Sequence, residues 1–199
     1  QLSTPELVNL SGESEATHDL YGIGEGHTDR NGKACLLARR LSEAGVRFVQ
    51  VTIDGWDHHG DIRTALPISC AGSDKPVAGL IKDLKNRGML DETLVVWTGE
   101  FGRSPWSQDL SGTSPIEKHG REHQQESFCT ILAGGGVRPG LTYGETDDFG
   151  FLPVSGKVHL HATILHQLGL DHEQLTYRNA GRDYRLTDVY GRVVNEILA

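Results

Sequence analysis

From Asn31 onward the chain alternates between stretches of helical periodicity and short β-branched apolar runs. Ala34, Leu37, Ala38 and Leu41 recur at helical spacing, and Gly45 closes the stretch as a helix stop. Val46-Arg47-Phe48-Val49-Gln50-Val51-Thr52-Ile53 is β-branched, is bounded by glycine and predicts a strand. Helical spacing returns from Val77 to Leu90 through Leu80, Ile81 and Leu84, with Gly88 near its end. The run from Thr93 to Thr98 is almost continuously apolar, as a buried parallel strand is. A third strand is predicted from Ser127 to Ala133, before the glycines at 134–136. Further helices are predicted from about Val158 to Leu168, ending at Gly169, and from Val189 to Leu198.

Residues 1–30 are polar with little periodicity and read as a surface arm, which leaves 31–199 as an α/β domain. Strands alternating with helices predict a parallel or mixed sheet with helices on both faces. Three strong strands are few for a self-contained doubly wound fold, so the sheet is expected to be incomplete, with an exposed apolar edge or face covered by self-association.

At 199 residues, 37% hydrophobic and 23% charged, the chain is long enough to bury a core as one domain or most of one. The formal net charge of −8 repels nucleic acid and anionic membranes, and no apolar run is long enough to cross a bilayer. An anionic substrate would therefore need a local positive centre, from a metal or an arginine. Cys35, Cys70 and Cys129 are an odd number without CxxC spacing, which argues against a zinc knuckle. Cys129 lies in an apolar run and reads as core, while Cys35 and Cys70 are read either as a disulfide or as buried thiols.

In open α/β sheets ligands bind beyond the carboxyl ends of the strands, and polar residues concentrate there in this chain. The first strand runs into Asp54-Gly55-Trp56-Asp57-His58-His59-Gly60-Asp61, and the second into Gly99-Glu100-Phe101-Gly102-Arg103-Ser104-Pro105. Lys118-His119-Gly120-Arg121-Glu122-His123 precedes the third. Carboxylate oxygen with imidazole nitrogen suits Zn²⁺, Mn²⁺ or Fe²⁺. Against this, histidine in polar loops is common, and solvated loops with salt bridges account for such a pattern more often than a metal site does. His18, His27, His166 and His172 have no convergent partners in the sequence, and His159 and His161 lie on one side of an extended entry into a helix, where they read as core packing rather than ligands. There is no GxSxG elbow, no P-loop and no GxGxxG after a strand.

These strings resemble a large bacterial family of unknown function, related to sulfatases and alkaline phosphatases and abundant in planctomycetes and other marine bacteria. The resemblance continues through Gly120-Arg121-Glu122-His123, Leu132-Ala133-Gly134-Gly135-Gly136, Tyr143-Gly144-Glu145-Thr146-Asp147, His161-Ala162-Thr163-Ile164-Leu165 and Gly181-Arg182-Asp183-Tyr184-Arg185-Leu186-Thr187-Asp188. It covers nearly all of the chain from about residue 17.

The resemblance implies an alkaline-phosphatase-like sheet flanked by helices, of which this chain would be the C-terminal part. It also implies an exported parent whose N-terminal half carries the nucleophile and one metal-binding aspartate. By resemblance, Asp57, His59 and His123 hold one divalent metal (zinc, calcium or manganese), and Glu100 matches an acid ligand of a second. Phe101 stands where a further ligand of that second metal is expected, and Glu122 stands where the family usually has aspartate. Arg103 and Arg121 are the residues expected to hold a small anionic sulfate or phosphate ester, since a guanidinium binds such groups through two hydrogen bonds. The implied chemistry is metal-assisted ester hydrolysis. The rival readings are a non-catalytic binding or scaffold protein with the same fold, and a mononuclear metal hydrolase of other chemistry.

Overall fold

The computed structural model describes residues 4–155 and 160–199, arranged as two compact units. The first comprises residues 1–93 and 103–123, and the second residues 94–102 and 124–199. The protein is thus mixed α/β, as its periodicity indicates.

Helices dominate the first unit: α1 (Thr4–Val8), α2 (Glu15–Tyr21), α3 (Asp29–Glu43) and α4 (Ile62–Asn86). The opening segment expected as a surface arm is itself helical. Ser14 caps α2 by accepting a hydrogen bond from the Thr17 amide, and Gly22 closes the helix at φ 68°. Tyr21, Cys35 and Leu36 are buried together, with Leu10, Leu20, Ile23 and Leu80 packed around them. A β-carbon on Gly32 would lie 2.3 Å from the Tyr21 carbonyl oxygen, and one on Gly79 would lie 2.5 Å from that of Leu20. Both glycines therefore let the end of α2 lie directly against α3 and α4.

Helix α4 begins well before the predicted start at Val77 and runs through Pro67 and Pro76. A proline lacks the amide that would bond the carbonyl four residues earlier. For Pro76 that carbonyl belongs to Gly72, and the Asn31 side-chain amide of α3 donates to it at 2.9 Å. A residue on α3 thus replaces the bond that the proline removes.

The same helices are tied by a charged network. The Arg39 side chain, 1% exposed, lies 2.7 Å from Glu13, 2.5 Å from Glu43 and 3.0 Å from Asp83. Arg40 lies 2.6 Å from Glu13, and Arg87 2.8 Å from Asp83. The Tyr21 hydroxyl donates to Asp83 at 3.0 Å. Burial pushes the Tyr21 phenol up, and the Asp83 charge adds to that shift. For Glu13 burial alone would raise the pKa, but hydrogen bonds from Arg40 and Arg39 outweigh it and hold the carboxyl below its ordinary range.

In the second unit β1 (Val95–Thr98) pairs antiparallel with β4 (Thr130–Ala133), Val95 facing Ala133 and Thr98 facing Thr130. The two-residue strands β2 (Gly102–Arg103) and β3 (His123–Gln124) pair with each other. β5 (Glu145–Thr146) pairs with β6 (Pro153–Ser155), and β7 (Thr176–Asn179) with β8 (Arg182–Arg185), again antiparallel. Helix α5 covers Leu160–Gln167, and its Thr163 hydroxyl accepts the amide of the buried Val194 at 3.1 Å.

Several expectations are corrected. Among the described residues the sheets are small pairs, antiparallel where their register is resolved, rather than one parallel or mixed sheet. The two most apolar runs do pair, but with each other and head to tail, because apolar runs specify burial and not strand direction. Residues 46–53 are not assigned to a strand, and Phe48 is 70% exposed. The final segment forms a short 3-10 turn at Asn195–Ile197 instead of a helix. Cys129 is exposed rather than part of a core, while Cys35 and Cys70 are free thiols, one of the two readings of that pair. The predicted helix start at Val158, and His159, lie outside the described residues. Among the described residues no helix is long and apolar enough to cross a membrane.

Removing Arg39 would strand buried carboxylates, so Arg39→Ala is expected to cost about 3–5 kcal/mol in urea unfolding. A cost below about 1 kcal/mol would contradict the buried network. Glu13 makes a second expectation. Its folded pKa lies below the unfolded one, so its stabilisation is complete above the ordinary carboxylate range and is lost as pH falls through the depressed value. Thermal midpoints measured downward from pH 6 should therefore fall less steeply in Glu13→Gln than in the parent.

Candidate metal centre

The site is built on three backbone segments of the first unit. The His58 carbonyl accepts the Arg121 amide at 3.0 Å, and the Lys118 and His119 carbonyls accept the amides of Asp61 at 2.8 Å and Ile62 at 3.2 Å. On its other side Gly120 exchanges backbone hydrogen bonds with Gln108, at 2.8 and 3.0 Å. Gly120 is thus clasped between residues 58–62 and residue 108. A β-carbon there would lie 2.1 Å from the His59 carbonyl carbon and 2.3 Å from the Gly60 nitrogen, so only glycine fits. Asp61 completes the entry to α4 in the left-handed region at φ 51°, a conformation aspartate tolerates better than most residues.

This clasp brings Asp57, His59 and His123 together. Asp57 Oδ1 lies 2.9 Å from Nε2 of His59 and 2.9 Å from Nε2 of His123, and the two ring nitrogens are 3.1 Å apart. The imidazole rings are tilted by 53° with centroids 4.6 Å apart. These three atoms form a compact group able to hold a metal ion. Bonds of about 2.0–2.1 Å to a first-row divalent ion place neighbouring ligand atoms roughly 3.0–3.4 Å apart, close to the spacings found here. Two imidazoles and one carboxylate are also a donor set that suits such ions.

Electrostatically, Asp57 is the focus. Arg103 lies 2.9 Å from Asp57 Oδ1 and also donates to the Trp56 carbonyl at 3.2 Å. The His123 hydrogen bond, with that of Arg103, lowers the Asp57 carboxyl to about 2. It therefore stays ionised across the physiological range, as a metal-binding carboxylate must.

Of the residues singled out from sequence, Asp57, His59 and His123 converge and Arg103 joins them through Asp57. Arg121 sends its guanidinium to the Ser104 carbonyl at 2.7 Å, bracing the 104–121 loop. Glu100 stands exposed at the bend after β1, in the second unit, and is not one of the three grouped side chains. His58 is 3.3 Å from the Ser69 hydroxyl, and His119 is 3.0 Å from the Ser114 carbonyl. Sequence reading missed Gln108, whose Oε1 lies 2.9 Å from Nδ1 of His59 and whose amide nitrogen lies 2.6 Å from Glu122. It sits in a polar loop without periodicity, so no sequence signal marked it.

The fold and site define a mixed α/β protein that gathers two histidines and an aspartate at a glycine clasp. The chain belongs to the family described as a protein of unknown function (DUF1501), whose model matches residues 1–198. No curated protein and no solved structure matches it.

Because the clasp positions the ligands, Gly120→Ala is expected to lower the thermal midpoint and to eliminate any stabilisation by added Zn²⁺. A variant with an unchanged midpoint and unchanged response to zinc would show that the close approach of Gly120 is not what places the histidines.

Proposed function

We propose that Asp57, His59 and His123 bind one divalent cation and that this centre serves hydrolysis of a sulfate or phosphate ester, in a protein of sulfatase-like or alkaline-phosphatase-like ancestry. The observation that carries the proposal is the convergence of the three ligand atoms, each within 3.1 Å of the other two. A metal bound there would supply Lewis acidity toward an ester oxygen. The chain's own residues do the rest. Asp57 provides a permanent negative ligand, the two histidines provide neutral nitrogen donors, and Arg103 sets a guanidinium beside the carboxylate. An anionic ester approaching the triad would meet that guanidinium, which is suited to bidentate recognition of a tetrahedral anion. Arg121 is the second cation proposed to face the anion.

Titration calorimetry with Zn²⁺ tests the centre. One ion per chain is expected, with the heat abolished in His59→Ala and in His123→Ala. A parent protein that gives no heat, or a His123→Ala variant that binds as tightly, would overturn the proposal. The ester reading has its own test: inorganic phosphate or sulfate should bind the zinc-loaded protein more tightly than the zinc-free protein, and Arg103→Ala should remove that increment. Equal anion affinity with and without zinc would leave the metal centre standing and remove the ester function.

A further inference from the structure

We infer that Gln108 and Glu122 form a relay that fixes the proton of His59 on Nδ1, so that Nε2 faces Asp57 and His123 as a bare lone pair ready for a cation. The inference rests on the metal reading for its purpose, but its chemistry stands on hydrogen-bond inventory alone. Glu122 Oε2 lies 2.6 Å from the Gln108 side-chain nitrogen. A carboxylate only accepts, so the amide must present its NH₂ to Glu122 and its carbonyl oxygen to the other side. That oxygen lies 2.9 Å from Nδ1 of His59. An amide oxygen cannot donate either, so Nδ1 must carry the hydrogen.

Glu122 is itself anchored. Its other oxygen accepts the backbone amide of His123 at 2.9 Å. Gln108 is anchored through its backbone by the two bonds to Gly120. The relay therefore uses the same clasp that brings the ligands together. Its consequence falls on the inner face of the cluster. With Nδ1 protonated, Nε2 of neutral His59 points an electron pair toward the Asp57 oxygen 2.9 Å away. Two acceptors at that distance repel unless a cation or a proton lies between them. Gln108 and Glu122 are thus positioning residues: they act through His59 and need not touch a bound ion.

The test reads the tautomer directly, in metal-free protein, by long-range ¹H–¹⁵N correlation of the His59 ring, and zinc affinity separately by calorimetry. The parent should show Nδ1–H. Gln108→Leu should lose that preference and weaken Zn²⁺ binding about 10–100-fold, the usual effect of removing a partner that orients a ligand. The exchange variant Gln108→Glu/Glu122→Gln puts the carboxylate against His59 and the amide behind it, and should restore both the Nδ1–H tautomer and the affinity. A purely structural role would not be rescued by that exchange. A parent His59 found as Nε2–H overturns the relay, as does a Gln108→Leu variant with unchanged tautomer. A parent that shows Nδ1–H but binds no zinc sustains the relay while removing the metal reading, so the two failures are distinguishable.

Discussion

Gly120 has no side chain, and the centre depends on that fact. Asp57 and His123 are 66 positions apart in sequence, and they meet because residues 118–121 run flush against residues 58–62. The backbones are close enough that a single β-carbon would collide with the peptide between His59 and Gly60. Several other features of the site follow from this approach. The Arg121 amide bonds the His58 carbonyl, Gln108 is held on the far side of the same glycine, and His123 emerges three residues later.

A second constraint acts at Asp57. One carboxylate oxygen is shared by two imidazole nitrogens and a guanidinium, all at 2.9 Å. In a chain whose overall charge is −8, this gathers a guanidinium and two imidazoles around a single acid at the protein surface. The arrangement differs in kind from the Glu13–Arg39–Asp83 network among the helices. That network is buried, with acids and arginines paired by charge, and it ties the helices together. The Asp57 cluster is reached by solvent and directs two imidazole nitrogens and an ionised carboxylate at one point. Such a point is where the cation is proposed to bind.

The polar strings that hold the triad were legible in the sequence because their chemistry is local: an Asp-His-His string follows one apolar run, and a Gly-Arg-Glu-His string precedes another. The choice of Asp57, His59 and His123 within them came from the family resemblance. Gln108 was not legible, since a glutamine in a polar loop carries no periodic signal and its importance comes only from what folds against it. The helices α3 and the second half of α4 follow their apolar spacing closely. The first half of α4 was hidden by Pro67 and Pro76, and the Asn31 contact to Gly72 shows how a tertiary partner can compensate for a proline that local rules treat as a breaker. The opening segment misled because α1 and α2 are too short to display a stripe, yet Tyr21 is among the most buried residues of the protein. Residues 46–53 show the opposite failure. Their β-branched composition suits a strand, but composition supplies no partner. Strand direction was equally unreadable, as the antiparallel pairing of residues 95–98 with 130–133 shows.

The most direct measurement is anomalous diffraction at the zinc edge from crystals of the protein grown with Zn²⁺. The expected result is one peak at about 2.0–2.2 Å from Asp57 Oδ1 and from Nε2 of both His59 and His123. Crystals in which these three atoms remain 2.9–3.1 Å apart with no anomalous peak among them, while zinc is found elsewhere or not at all, would contradict the assignment of this cluster as a metal centre.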